Sequence, residues 1–380
     1  MIDVRIAFTA IGLPGHFYPL VPLAWACRAA GHDVLMVTTD GFTAGAVRSG
    51  LPVASCGPAA DFVDLVTHGG VQDEEYANGR AFGRIARQRL PRTERLLRDW
   101  RPDLVVSERA EFAGPIAART LGIPQVELHW GRAALPQYRI AAADELRHTL
   151  AARGLAGLPA PRASLNPWPP GLRLPYAGGH LSVRHESYNG DALVPGWALE
   201  RRTRPRVCMT LGTVVPRIGE DVVSAWHPVL LALAELDVEL VVAVSETVAA
   251  RWPALPDAVR HFGWLPLSQS LGACDAVIHH GGQGTTLTAL ATGRPQVMLP
   301  VFDDQFDNTE AVVRAGAGLR LLPDEVTPAS VAARTGEVLA RPGYARAAAD
   351  VATEIAAQPS TADTVRVLVD LAREPLGRAA

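Results

Sequence analysis

Twice in this chain a short apolar run breaks into a glycine loop and continues as a helix-like segment. Near the start, Val4–Ala10 gives way to Ile11-Gly12-Leu13-Pro14-Gly15-His16 and then to Pro19–Ala30, which Gly31 stops. In the second half Ala276–His280 runs into Gly281-Gly282-Gln283-Gly284, with Thr285 or Thr286 as the expected helix N-cap. A strand that feeds a helix through a tight turn returns to a parallel neighbour, so the expectation is an α/β chain built on parallel sheets.

The same rhythm fills the remainder. Asp33–Thr38, Pro102–Ser107, Pro124–His129 and His180–His185 read as strands of the first half. Val207–Leu211, Val238–Val244, Val259–Phe262 and Gln296–Leu299 read as strands of the second. Asp61–Asp99 reads as an arginine-rich helical stretch with glycines at 69, 70 and 79, and Gly154–Gly179 as a loop. At 380 residues the chain exceeds one common core, and the charged, proline-containing Glu200–Arg206 marks the boundary between two halves.

Composition removes several classes of function. Net charge is -3 with no basic run, which argues against nucleic-acid binding. No apolar run reaches the roughly 18 residues of a membrane span, and the start lacks a leader-like pattern, so a cytoplasmic protein is expected. All 36 cationic residues are arginine, so neither a Schiff-base lysine nor a Walker lysine operates here. Cys27, Cys56, Cys208 and Cys274 are far apart and read as reduced, buried residues.

The loops carry the chemistry. Glycines ahead of a helix leave backbone N–H groups and the positive end of the helix dipole for an anion, and His280 stands at that mouth. His16 lies where the first loop meets its helix, at the carboxyl end of a strand, where a histidine can take a proton from a bound hydroxyl. Glu108, at the end of another strand, can orient it; a solvated loop glutamate is the plain alternative. The G-x-x-G-H spacing of the first loop lacks the dinucleotide fingerprint, which weakens a dehydrogenase reading.

Five motifs in order then carry a resemblance: Gly15–Pro19 (GHxxP), Leu211–Thr213 (LGT), Gly263–Pro266 (GWLP), His279–Thr285 (HHGGQGT), and Asp304-Gln305 followed by Asn308. Together they resemble the GT-B nucleotide-sugar glycosyltransferases. Pro102–Val126 and Tyr188–Trp197 narrow the likeness to the bacterial antibiotic, family 1 branch. It covers nearly the whole chain.

The resemblance implies two Rossmann-like domains facing across a cleft: residues 1–200 for the acceptor, 201–362 for the nucleotide sugar, and a helix at 363–380 packing back on the first. It implies an inverting, metal-independent transfer from a dTDP-sugar to a natural-product aglycone, with His16 as base and Glu108 where many relatives carry aspartate. His280, Gly282, Gly284 and Thr285 would hold the diphosphate, with Thr213 opposite and Gly12 and Gly15 bordering the donor. Trp264 and the backbone of Leu265 would hold the nucleobase, Asp304 and Gln305 the sugar. His279 is assigned to packing. Phe112, Trp130, Tyr138 and Trp168 are the candidate acceptor wall, with core packing as the competing role for each. No D-x-D metal motif stands in a suitable loop, and no cofactor is expected. A homodimer is compatible with the sequence. A nucleotide-sugar epimerase and a non-catalytic nucleotide-sugar-binding helper are the competing readings.

Overall fold

The structure, a computed structural model, describes residues 3–67, 74–191, 193–218 and 222–374. Gly69, Gly70 and the end of the expected C-terminal helix, residues 375–380, lie outside the described residues.

The first half forms a seven-stranded parallel sheet. Its strands are β1 (Arg5–Thr9), β2 (Asp33–Thr38), β3 (Val53–Ser55), β4 (Leu104–Glu108), β5 (Gln125–Leu128), β6 (Ala163–Asn166) and β7 (Leu181–Ser182), in the order β3-β2-β1-β4-β5-β6-β7. The second half forms a six-stranded parallel sheet. It comprises β8 (Arg206–Thr210), β9 (Glu239–Ala243), β10 (Val259–Gly263), β11 (Ala276–His279), β12 (Gln296–Met298) and β13 (Gly318–Arg320), in the order β10-β9-β8-β11-β12-β13. In both sheets the first strand lies between the second and the fourth, so the chain reverses direction across the sheet at that seam.

Alternation along β1 sorts the core. Ile6 and Phe8 join the face covered by the helices Val21–Ala29 and Thr361–Arg373, through Leu23, Val365 and Leu368. Ala7 joins the opposite face, covered by the helices Glu74–Trp100 and Pro136–Ala151. With both faces buried, the strands read as continuous apolar runs rather than as alternating ones. Burying Val365 and Leu368 contributes about 1.5–3 kcal/mol each, which ties the C-terminal helix to the N-terminal sheet.

Several expectations are corrected. Gly154–Gly179 is not all loop: it contains β6, paired with β5 and β7. Its alternation is only four residues long, too short to stand out among prolines. The strand read at His180–His185 shrinks to Leu181–Ser182. The strand Gly318–Arg320 and the helix Pro136–Ala151 are further elements that the apolar pattern left unmarked.

Candidate active site at two facing seams

A crevice opens at the carboxyl end of a parallel sheet wherever strand order reverses, and ligands settle there. In the N-terminal sheet that seam lies between β1 and β4: the short helix Pro14–Phe17 after β1 carries His16, and β4 ends on Glu108. In the C-terminal sheet it lies between β8 and β11: Gly212-Thr213 follows β8, and His280 follows β11. His16, Thr213 and His280 from the two seams, together with Asp304 after β12, line one cleft of about 660 Å³.

On the N-terminal side, His16 Nδ1 lies 3.1 Å from Glu108 Oε1, although the angle falls short of a good hydrogen bond. The longer glutamate arm does not turn to solvent, since its side chain is 1% exposed. Glu108 Oε2 accepts from Ala110 N–H and from Trp130 Nε1, each at 2.7 Å. Burial alone would raise the carboxyl pKa, but the neighbouring His16 and these two donors outweigh it and hold Glu108 below the usual range. Trp130 also stands edge-on to His16, with ring centroids 4.6 Å apart. The carboxylate is thus fixed from behind and offered to the imidazole.

On the C-terminal side, the helix Gln283–Ala291 has Gly282 as N-cap with no side-chain cap. This corrects the expected cap: Thr286 Oγ1 instead donates to Gly282 O within the first turn, and Thr285 is buried there. The first N–H groups of the helix remain for a ligand. His280 sits between two glycines, because a Cβ on Gly212 would collide with its ring and one on Gly282 would come within 2.5 Å of Nε2. Burial, with His279 as a lesser cause, lowers the His280 pKa to about 3, and its buried Nδ1 has no hydrogen bond among the described residues. At neutral pH this ring is uncharged. His279 is fully buried as expected for packing, and it also shapes the loop. Its Nδ1 accepts from Gly281 N–H at 3.0 Å, so the Nε2 that faces Gln296 Oε1 at 2.7 Å carries the proton.

Asp304 and Gln305 are more constrained than their motif suggests. Gln305 Oε1 accepts from Val301 N–H at 2.9 Å and so braces its own loop. Asp304 Oδ2 accepts from Asn308 Nδ2 at 2.6 Å, and burial raises the Asp304 pKa. Asn308 also donates to Gly281 O and accepts from Arg132 N–H, linking the second glycine loop to the N-terminal half. The i, i+4 spacing of Asp304 and Asn308 on one helix was the available sequence signal. Asp303 was not singled out. It holds φ at +50° and accepts through Oδ2 from Tyr138 O–H and Asn78 Nδ2, both at 2.7 Å.

Three expected site residues lie elsewhere. Gly12 does not line the cleft; it is glycine because a Cβ would collide with Thr39 Oγ1. Phe112 is buried in the N-terminal core beside the helix Ala113–Leu121. Trp168 is fully buried among Leu287, Leu290 and Met298 of the C-terminal half. Trp130 and Tyr138 do line the cleft, joined by Phe62 and Phe82, whose rings stack with centroids 4.6 Å apart. Those two phenylalanines were hidden in the arginine-rich stretch. Gly15, Gly282, Gly284, Thr285, Trp264 and Leu265 also face the cleft.

Comparisons with known proteins agree with this geometry. The family model described as Erythromycin biosynthesis protein CIII-like, N-terminal domain, matches residues 25–96 and 85–212, and its C-terminal counterpart matches 227–371. The L-demethylnoviosyl transferase of Streptomyces niveus is 36% identical over 326 residues, covering 84% of this chain and 86% of that protein. Among solved structures, the glycosyltransferase SsfS6 of Streptomyces sp. SF2575, complexed with thymidine diphosphate, gives a TM-score of 0.86 at 34% identity over 97% of this chain and 100% of that one. The spinosyn rhamnosyltransferase SpnG, complexed with spinosyn aglycone, gives 0.86 at 30% identity over 96% and 100%. Among the described residues no helix is long and apolar enough to cross a membrane.

Proposed function

This chain belongs to the erythromycin biosynthesis protein CIII-like family of GT-B natural-product glycosyltransferases, and within it we propose an inverting transfer of a deoxysugar from a dTDP-sugar to an apolar aglycone. The reading rests on one observation: a carboxylate-backed histidine and an uncharged, unpartnered histidine face each other across a single cleft. Thymidine diphosphate in SsfS6 and an aglycone in SpnG support the two substrate classes.

On the acceptor side, the hydroxyl proton passes to His16 Nε2 as its oxygen bonds to the anomeric carbon. Glu108, facing Nδ1, stabilises the imidazolium. On the donor side, the anomeric carbon–oxygen bond breaks from the opposite face, and the nucleoside diphosphate leaves with the electron pair. His280 and the uncapped helix N-terminus meet that growing charge. Thr213 closes on the phosphates, Trp264 stacks on the thymine, and Asp304 with Gln305 orients the sugar. Phe62, Phe82, Trp130 and Tyr138 form the acceptor wall. No metal takes part in this scheme.

The test is calorimetric titration of dTDP and UDP, in EDTA, into wild type and His280→Ala. We expect dTDP to bind without metal, UDP more weakly, and the variant to lose about tenfold or more in dTDP affinity. A folded protein that binds neither nucleotide would overturn the reading.

A further inference from the structure

Gln283 opens the helix behind the glycine loop and lines the cleft beside His280, Gly282 and Gly284. Its side-chain oxygen accepts from Trp168 Nε1 at 2.9 Å. An indole N–H only donates, so this partner fixes which end of the carboxamide is which. The NH₂ end is left over, and among the described residues nothing accepts from it.

Trp168 itself is held unusually firmly. Its backbone follows β6 of the N-terminal sheet, yet its ring is 0% exposed within the C-terminal cluster of Leu287, Leu290, Met298 and Ala311. Its N–H donates to Asn166 Oδ1 at 2.9 Å, and its carbonyl accepts from Arg173 Nε at 2.8 Å and from Gln358 Nε2 at 3.2 Å. A group this confined loses little further freedom when it orients a neighbour, and that favours a preset donor.

We propose that Trp168 is a positioning residue that locks the Gln283 carboxamide with its NH₂ group toward the donor, so that Gln283 adds a side-chain hydrogen bond to the diphosphate. The inference rests on the donor assignment made above. It gives the buried Trp168 a task that its sequence position did not suggest, and it couples the N-terminal half to the phosphate site through one hydrogen bond.

The experiment titrates dTDP into wild type, Gln283→Glu and Trp168→Phe between pH 5 and 8, with affinities taken as ratios to wild type at each pH. The glutamate still accepts from Trp168 but offers no donor when ionised. At pH 8 it should weaken dTDP binding about 10- to 100-fold, the range for a hydrogen bond to a charged group together with new repulsion. As pH falls, protonation removes the charge and restores an O–H donor, so the ratio should recover. A purely structural defect would not recover with acid. Trp168→Phe keeps most of the packing and loses the bond; it should raise the KM for the donor about 3- to 10-fold with kcat little changed and no new pH dependence.

A folded Gln283→Glu that binds dTDP like wild type at pH 8, or equally poorly at every pH, overturns the role of Gln283. A folded Trp168→Phe with unchanged KM overturns that of Trp168. Should the phenylalanine variant fail to fold, a donor KM that is unchanged in Trp168→Tyr, or a Tyr variant that also fails to fold, counts against the positioning role. Failure of wild type to bind dTDP at all is a separate outcome and strikes the parent reading instead.

Discussion

The two seams have the same strand arrangement and carry opposite electrostatics. At the N-terminal seam a histidine has a carboxylate 3.1 Å away, and that carboxylate is held ionised by two N–H donors. At the C-terminal seam a histidine has no counter-charge, lies between glycines, and has its pKa pushed down to about 3 by burial. The first ring faces a negative charge, whereas burial keeps the second uncharged. On the proposed reading one architecture would supply a base on one wall and an anion receptor on the other, and the difference comes from which side chain stands at the end of the fourth strand of each sheet.

The sharpest way to break the comparison is to remove the base. His16→Ala should lower kcat by about 10²–10⁴, the usual share of a general base, while dTDP affinity stays within a factor of about two. Steady-state turnover with calorimetry on the same sample checks it. If dTDP affinity falls in step with kcat, His16 serves the donor and the division between walls is wrong. His280→Ala should show the reverse order of sensitivity: weaker dTDP binding, with kcat lower by about 10² because the leaving group loses a preorganised donor.

The seams were legible in the sequence because strand, glycine loop and helix start are local patterns, and five motifs fixed their order. The partnership of His16 with Glu108 was legible only as a possibility, since 92 positions separate 16 from 108 and only the β1–β4 pairing brings them together. The aromatic wall was misread in part. Phe112 and Trp168 are large and apolar like Trp130, and whether such a ring faces a cleft or a core is decided by the helix or half it packs on. Asp303 escaped because nothing local announces that a carboxylate will meet a tyrosine 165 positions away.

A smaller effect tests how Glu108 supports the base. Glu108→Gln can keep its one oxygen as the acceptor for Ala110 and Trp130, which leaves its NH₂ group facing His16. It should lower kcat about 10-fold or somewhat more, with dTDP affinity unchanged. A kcat equal to that of wild type would mean that Glu108 only buttresses the Trp130 loop.

The smallest expected effect lies where the two walls touch. Asp303 belongs to the C-terminal half, but its carboxylate accepts from Tyr138 and Asn78 of the N-terminal half. Burial raises its pKa from 3.8 to about 7 despite those two donors. A carboxyl raised in the folded state binds more protons folded than unfolded between those two values. It therefore contributes stability below the lower one, and that contribution is lost as pH rises through about 7. An asparagine in its place would keep both hydrogen bonds through its carbonyl, tolerate the left-handed backbone, and carry no charge at any pH. Asp303→Asn should thus melt slightly above wild type at pH 5 and further above it at pH 8, by about 2–4 °C for each kcal/mol relieved. Buried histidines push the other way. His185 and His279 are lowered to about 4 and His280 to about 3, each by burial, so they remove stability as pH falls below about 6.5. Because both proteins share those histidines, the difference between the two melting curves isolates Asp303. A difference that does not grow between pH 5 and 8 would place its carboxylate in ordinary solvent and detach it from the contact between the walls.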